Sequence, residues 1–236
     1  DEGGYIVIGE KYNIDLENSD LWLLKINSQG ELSWERTLGS TGDDRGYDIK
    51  SNRSGGYLLL GSTNSFGNGG SDIWLINTDS DGNEIWSKTY GSSNNEYGRS
   101  IIDSDDGGYL IFATSESFGN DNTGLHNIKI DSTGLEEWNK SFGGFYGKNG
   151  NVIRQSPNGG YILISSRYNF NDNSYNMWLI KMDSNGSTEW TKTFGNSNND
   201  YGFGIAITSD NGFILTGSTS NYGNSSSDLS DIWVIK

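Results

Sequence analysis

Gly55-Gly56-Tyr57-Leu58-Leu59-Leu60-Gly61-Ser62-Thr63, followed by Asp72-Ile73-Trp74-Leu75-Ile76 and Glu84-Ile85-Trp86-Ser87-Lys88-Thr89-Tyr90-Gly91, is the stretch that the rest of the chain repeats. Tyr5, Tyr57, Tyr109, Tyr161 and Phe213 stand 52 positions apart. Trp34, Trp86, Trp138 and Trp190 keep the same step, as do Gly39, Gly91, Gly143 and Gly195, and Gly46, Gly98, Gly150 and Gly202. A fixed period of this length marks an architecture whose units are too small to bury their own apolar faces and must stack on neighbours.

Each unit reads as four short strands, A to D. Gly98–Asp103 is an A strand, Gly108–Ala113 a B strand, Asp72–Asn77 a C strand and Glu84–Tyr90 a D strand. All are rich in Ile, Leu, Tyr, Trp and Thr and bounded by Gly, Asn, Asp or Ser. Asp105-Asp106-Gly107-Gly108 and its copies join A to B as tight hairpins. Asp79-Ser80-Asp81-Gly82 and its copies join C to D, an Asx residue opening a turn that Gly closes. No window carries a helical apolar period. Four antiparallel strands repeated radially make a propeller blade, so the expected fold is an all-β propeller of about five blades. The copies number five B and five C strands but four A and four D. A single domain, 1–236, is expected, with repeats near 1–45, 46–97, 98–149, 150–201 and 202–236, read as part of a longer chain. Trp22, Trp74, Trp178 and Trp233 on C strands, and Trp34, Trp86, Trp138 and Trp190 on D strands, are expected to fill the layers between blades.

Composition narrows the partners. Only 32% of the 236 residues are hydrophobic, yet 13% are aromatic, so the core is thin and built from large groups. The formal net charge of -15 disfavours nucleic acid and anionic membrane surfaces. No apolar run is long enough for a spanning helix, and without cysteine no disulfide framework exists.

Thr193-Phe194-Gly195, Asn199-Asp200-Tyr201-Gly202, Ile205 and Asp210-Asn211-Gly212-Phe213-Ile214-Leu215-Thr216-Gly217-Ser218-Thr219 resemble the bacterial β-propeller repeat named for seven-bladed propellers. They are similar also to the Asp-Gly-Gly-Tyr repeats of secreted or surface-anchored bacterial and archaeal proteins. The resemblance spans the chain and implies a propeller in an extracellular or cell-envelope location. Its name implies seven blades, whereas this chain shows fewer than five complete units. Asp183, Gly186, Trp190 and Gly195 are more weakly similar to the tryptophan-docking repeat of quinoprotein-like propellers, which we read as shared blade mechanics without a quinone cofactor.

Candidate chemistry is sparse. Asp44, Glu96 and Asp200 each sit two residues before a repeated Gly; they could bind Ca²⁺ or act as acid and base, but their recurrence favours turn hydrogen bonds within each blade. Lys148 in the third copy breaks any symmetric ring. Asp79-Ser80-Asp81-Gly82-Asn83-Glu84 resembles the start of a calcium loop but reads as a hairpin turn. His126, the one histidine, takes the slot of Trp22, Trp74 and Trp178 and reads as packing. Residues that differ between copies are better site candidates. Phe145, Tyr146 and Lys148, with Arg154, Arg99 and Lys50 on A strands, suggest a basic, aromatic spot suited to sugar stacking or a protein contact. No cofactor is expected, calcium at the carboxylates excepted.

The leading expectation is a non-catalytic extracellular binding or display module for protein or glycan, without nucleic-acid binding or membrane insertion. One alternative is a carbohydrate-active enzyme with an axial carboxylate pair, for which Asp48 and Asp103 on A strands are candidates. Another is a structural subunit of a surface assembly or filament that pairs through incomplete sheet edges.

Overall fold

A computed structural model describes residues 3–117, 124–143, 152–220 and 230–236. Strands and turns make up these residues, with no helix among them. β1 (Tyr5–Asn13), β2 (Asn18–Ile26) and β3 (Leu32–Leu38) form the first sheet. β4 (Asp44–Ser51), β5 (Tyr57–Thr63), β6 (Asp72–Thr78) and β7 (Glu84–Tyr90) form the second. β8 (Glu96–Asp103), β9 (Tyr109–Ser115), β10 (Gly124–Ile130) and β11 (Glu136–Gly143) form the third. β12 (Val152–Gln155), β13 (Tyr161–Asn169), β14 (Ser174–Met182) and β15 (Thr188–Phe194) form the fourth, and β16 (Asp200–Ile207), β17 (Phe213–Thr219) and β18 (Asp231–Ile235) the fifth. Strand order within each sheet follows the sequence, and the pairing is antiparallel. The three-stranded first and fifth sheets lack an A and a D strand respectively, as the copy count requires. The chain has the β-propeller fold, with these five sheets as its blades.

By compactness the chain divides into two units, Asp1–Ile101 with Ala113–Ser117, and Ile102–Phe112 with Phe118–Lys236. In the first unit, Leu21 and Leu23 of β2 meet Tyr57 and Leu59 of β5 and Trp74 and Ile76 of β6, flanked by Ile6, Ile8, Trp34, Leu38 and Ile49. In the second unit, Leu110, Phe112 and Leu125 meet Ile153, Tyr161, Leu163, Trp178, Ile180 and Met182, while a separate layer joins Ile162, Ile164, Met177 and Leu179 to Ile205 and Leu215. The layers are therefore mainly aliphatic, drawn from B and C strands. Trp74 and Trp178 are buried, Trp22, Trp34, Trp86, Trp138 and Trp233 are half-buried, and Trp190 is 37% exposed.

The D-strand tryptophans have a second task. A Cβ built on Gly82, in the C–D turn of the second sheet, would lie 2.8 Å from the Trp34 ring, and one on Gly186 would lie 2.6 Å from the Trp138 ring. The indole of one sheet thus seats on the turn glycine of the next. Trp190 is the exposed one. Gly82 has φ +76°. Gly30, at the matching turn of the first sheet, has φ +84° and open space where a Cβ would go. Gly30→Ala should thus lose about 1 kcal/mol for backbone strain alone, and Gly82→Ala about 2–3 kcal/mol because Trp34 must also move. Urea unfolding of the two variants side by side checks this, and equal losses would remove the indole–turn contact from the account.

Two buried cations were not anticipated. Lys129 is 2% exposed, and its ammonium reaches Asp106 at 2.8 Å and Glu137 at 2.6 Å. The Lys129 contact holds the Asp106 carboxyl below the ordinary carboxylate range, with Ser104 Oγ assisting. Lys181 repeats the design with Glu189 at 2.9 Å. These pairs tie strand ends together where the register shifts between Lys129 and Ile130 and between Lys181 and Met182.

Candidate binding site

The B–C connection is where the copies diverge. From Gly61 to Trp74 it contains Gly67 and Gly69 at φ +99° and +102°, a loop that only glycine makes readily. The equivalent stretch from Ser165 to Trp178 has the same length but no glycine. There β13 and β14 run on as a hairpin paired as far as Asn169 and Ser174. Asn169 Oδ1 accepts from the Asn171 N–H at 3.1 Å, Asp172 Oδ1 accepts from the Ser174 hydroxyl at 2.6 Å, and Asn173 takes φ +54°. Asx side chains close their own turn and make glycine unnecessary.

That hairpin carries a run of aromatic rings in the second unit. Phe170 lies edge-on to Tyr168 at 5.1 Å, Tyr168 is 5.0 Å from Tyr175, Tyr175 is 5.6 Å from Tyr201 on β16, and Tyr201 stacks on Phe203 at 6.4 Å. Phe170 and Phe203 are exposed, 64% and 42%, and the three tyrosines between them are half-buried. Burial, then the neighbouring Tyr175, pushes the Tyr201 phenol up, keeping it a neutral donor. Beside the run is a cavity of about 460 Å³ lined by Arg167, Tyr168, Asn169, Phe170, Asn171, Asn176 and Thr193. Arg167 lies over the Trp178 ring at 5.3 Å, and the buried Trp178 Nε1–H has no acceptor. In the first sheet the matching indole, Trp22, donates to Glu35; the fourth sheet has Thr191 there instead. The lining thus offers amides, a hydroxyl, a guanidinium and aromatic faces, but no carboxylate.

Of the residues singled out from sequence, Phe145, Tyr146 and Lys148 lie outside the described residues. Arg154 is exposed on β12 and donates to the Ile153 carbonyl. Lys50 is half-buried on β4. Arg99 is half-buried, with its guanidinium 5.3 Å from Tyr47 and 5.4 Å from Tyr97, so it joins a small cation–π group on the first unit. The ribbon from Tyr168 to Phe203 was missed, although its signal was present: the glycine-free B–C segment, with Tyr168 where the second sheet has Asn64.

The repeated carboxylates are buried. Asp44, Glu96 and Asp200 have no exposed surface. Asp44 Oδ2 accepts from Ser40 N–H at 3.1 Å and the Ser65 hydroxyl at 2.6 Å; Glu96 accepts from Ser92 N–H and the Ser115 hydroxyl, both at 2.8 Å; Asp200 Oδ2 accepts from Asn196 N–H at 3.2 Å. These are turn hydrogen bonds, but each acid also faces a C-strand partner. A Cβ on Gly39 would lie 2.2 Å from Asp20 Oδ1 and 2.6 Å from Asp44 Oδ2. On Gly91 it would lie 1.7 Å from Asp72 Oδ1 and 2.8 Å from Glu96 Oε2, and on Gly195 2.2 Å from Asn176 Oδ1 and 2.4 Å from Asp200 Oδ2. Burial first, then the facing Asp44, pushes the Asp20 carboxyl up; burial likewise raises Asp72, against the Asn68 N–H that lowers it and with Glu96 adding.

Asp48 accepts from Ile101 N–H at 2.8 Å and so pins backbone. Asp79 Oδ1 accepts from the Asp81 and Asn83 N–H groups, both at 2.9 Å, which makes the calcium-like segment a hairpin turn. His126 is 3% exposed with Nδ1 2.9 Å from Ser141 Oγ, a packed side chain in the tryptophan slot.

No protein-family model matches the chain, and no curated protein matches it. Solved structures are similar in fold. The endo-arabinase from Bacteroides thetaiotaomicron VPI-5482 shares 12% identity over 98% of this chain and 88% of its own, at a TM-score of 0.52. A puromycin hydrolase mutant complexed with PGG shares 12% identity over 92% of this chain, at a TM-score of 0.58. This chain spans 35% of that hydrolase. At such identities the likeness concerns the backbone, and it accords with five stacked antiparallel blades.

Proposed function

We propose that the protein is a non-catalytic module of the cell surface that binds a neutral carbohydrate chain on the ribbon Phe170–Tyr168–Tyr175–Tyr201–Phe203. One observation carries the reading: a run of aromatic rings 5.0–6.4 Å apart, of which Tyr168 and Phe170 line a cavity that offers amides and no carboxylate. Sugar rings present C–H faces that stack on aromatics and hydroxyls that exchange water for amide and hydroxyl partners. A net charge of -15 disfavours acidic polysaccharides, so the glycan is neutral.

Affinity electrophoresis against neutral polysaccharides, an arabinan included because one protein of similar fold is an endo-arabinase, tests the reading. Retardation is expected, and Tyr168→Ala should weaken binding about 30-fold, the loss typical of a buried aromatic anchor. Tyr12→Ala, at the matching hairpin of the first unit, should leave it unchanged. No retardation by any neutral glycan would overturn the proposal, and release of reducing ends would replace binding with hydrolysis.

A further inference from the structure

We propose that the facing carboxylates Asp20 and Asp44 bind one calcium ion beneath Gly39. The two acids are 8% and 0% exposed. Two carboxylates confined together away from water cannot both stay charged without relief from a proton or a cation. Among the described residues no donor reaches Asp20 Oδ1, which is buried, and Asp44 Oδ1 is buried and unpartnered likewise. Asn18, 4% exposed, holds the same loop by donating to the Ser40 and Gly42 carbonyls, and its own Oδ1 is also buried and unpartnered. Asn18, Asp20 and Asp44, which all meet the segment from Gly39 to Asp44, therefore each carry one buried oxygen without a donor.

The sequence treats the acids as pairs. Where the A-strand acid becomes Lys148 in the third copy, the C-strand acid becomes Gly124. Where the fourth copy keeps Asp200, Asn176 keeps an oxygen at the same place over Gly195. The glycines above the pairs are themselves exposed, so the missing side chain leaves a route for an ion. An all-oxygen set without nitrogen or sulfur selects a hard cation, and two carboxylates match a divalent charge. The irregular arrangement suits Ca²⁺, which takes six to eight oxygens flexibly, better than Mg²⁺, which demands near-ideal octahedra.

Calorimetric titration of the EDTA-treated, desalted chain with calcium chloride tests this, with thermal unfolding in parallel. Saturable uptake and a calcium-dependent rise in Tm are expected. Asp20→Asn gives the site the composition that the fourth sheet already folds with, and should weaken uptake at least about tenfold. Asp79→Asn, in the exposed turn, should leave uptake unchanged. No heat and no Tm shift in the wild-type chain would overturn the proposal, as would equal uptake by Asp20→Asn, or loss of uptake in Asp79→Asn. Glycan retardation reads the ribbon separately, so either proposal can fail alone.

Discussion

Gly91→Ala is expected to destabilise the first unit by about 3–5 kcal/mol, which for a chain of this size lowers Tm by roughly 10–15 °C. The new methyl carbon would sit 1.7 Å from Asp72 Oδ1, 2.7 Å from its Cγ and 2.8 Å from Glu96 Oε2. Neither acid can step aside cheaply. Asp72 is held by the Asn68 N–H at 2.8 Å, and Glu96 by Ser92 and Ser115. Moving either abandons those bonds and leaves a buried carboxylate without them. Gly91 is not among the glycines in the left-handed region, so backbone strain adds nothing and the whole loss is spatial. A second substitution separates the two causes. If lack of room is the reason, Asp72→Ala in the Gly91→Ala background recovers part of the loss, and the double-mutant cycle shows a large favourable coupling. Chemical denaturation of the four species measures it. A loss below about 1 kcal/mol for Gly91→Ala, or strict additivity, would show that the acid pair does not crowd this glycine.

The same glycine shows how far the sequence could be read. The 52-residue step announced that Gly39, Gly91 and Gly195 serve the blade, and the strand pattern, turn chemistry and count of five B and five C strands all reappear in the sheets. Periodicity survives because each strand must alternate its faces and each turn needs its Asx and Gly, and both constraints are local. What the glycines make room for is not local. Asp20 and Asp44 are 24 positions apart on different sheets, and only tertiary packing brings them over Gly39. The ribbon was hidden for the same reason: Tyr201 was read as part of a repeat motif, yet its neighbour Tyr175 comes from the preceding sheet. Lys129 was passed over because a lysine in a strand ordinarily lies at the surface with its ammonium in water, whereas here Asp106 and Glu137 receive it.

Acid should weaken the fold through His126 before it reaches ordinary carboxylates. Burial lowers the imidazole from its usual value near 6.5 to about 4, and the charge of Glu136 opposes that shift only in part. Between those values the unfolded chain takes up a proton that the folded chain refuses, so stability falls as pH drops from 6.5, and the loss levels off below about 4. The full span corresponds to about 3 kcal/mol. Asp20 and Asp72 act in the opposite sense when protonated, because their folded carboxyls hold the proton more tightly than unfolded ones. A single pH profile therefore mixes signs, and the difference between two profiles isolates the imidazole. His126→Phe keeps a ring in the slot that Trp22, Trp74 and Trp178 occupy elsewhere, and it releases Ser141, on the exposed side of β11, to water. Its stability, measured by urea unfolding at a series of pH values, should lack the histidine's acid limb and approach or exceed the wild-type value toward pH 4. Parallel curves for the two proteins from pH 7 to pH 4 would mean that the imidazole is protonated in the folded chain and that the tryptophan slot admits water there.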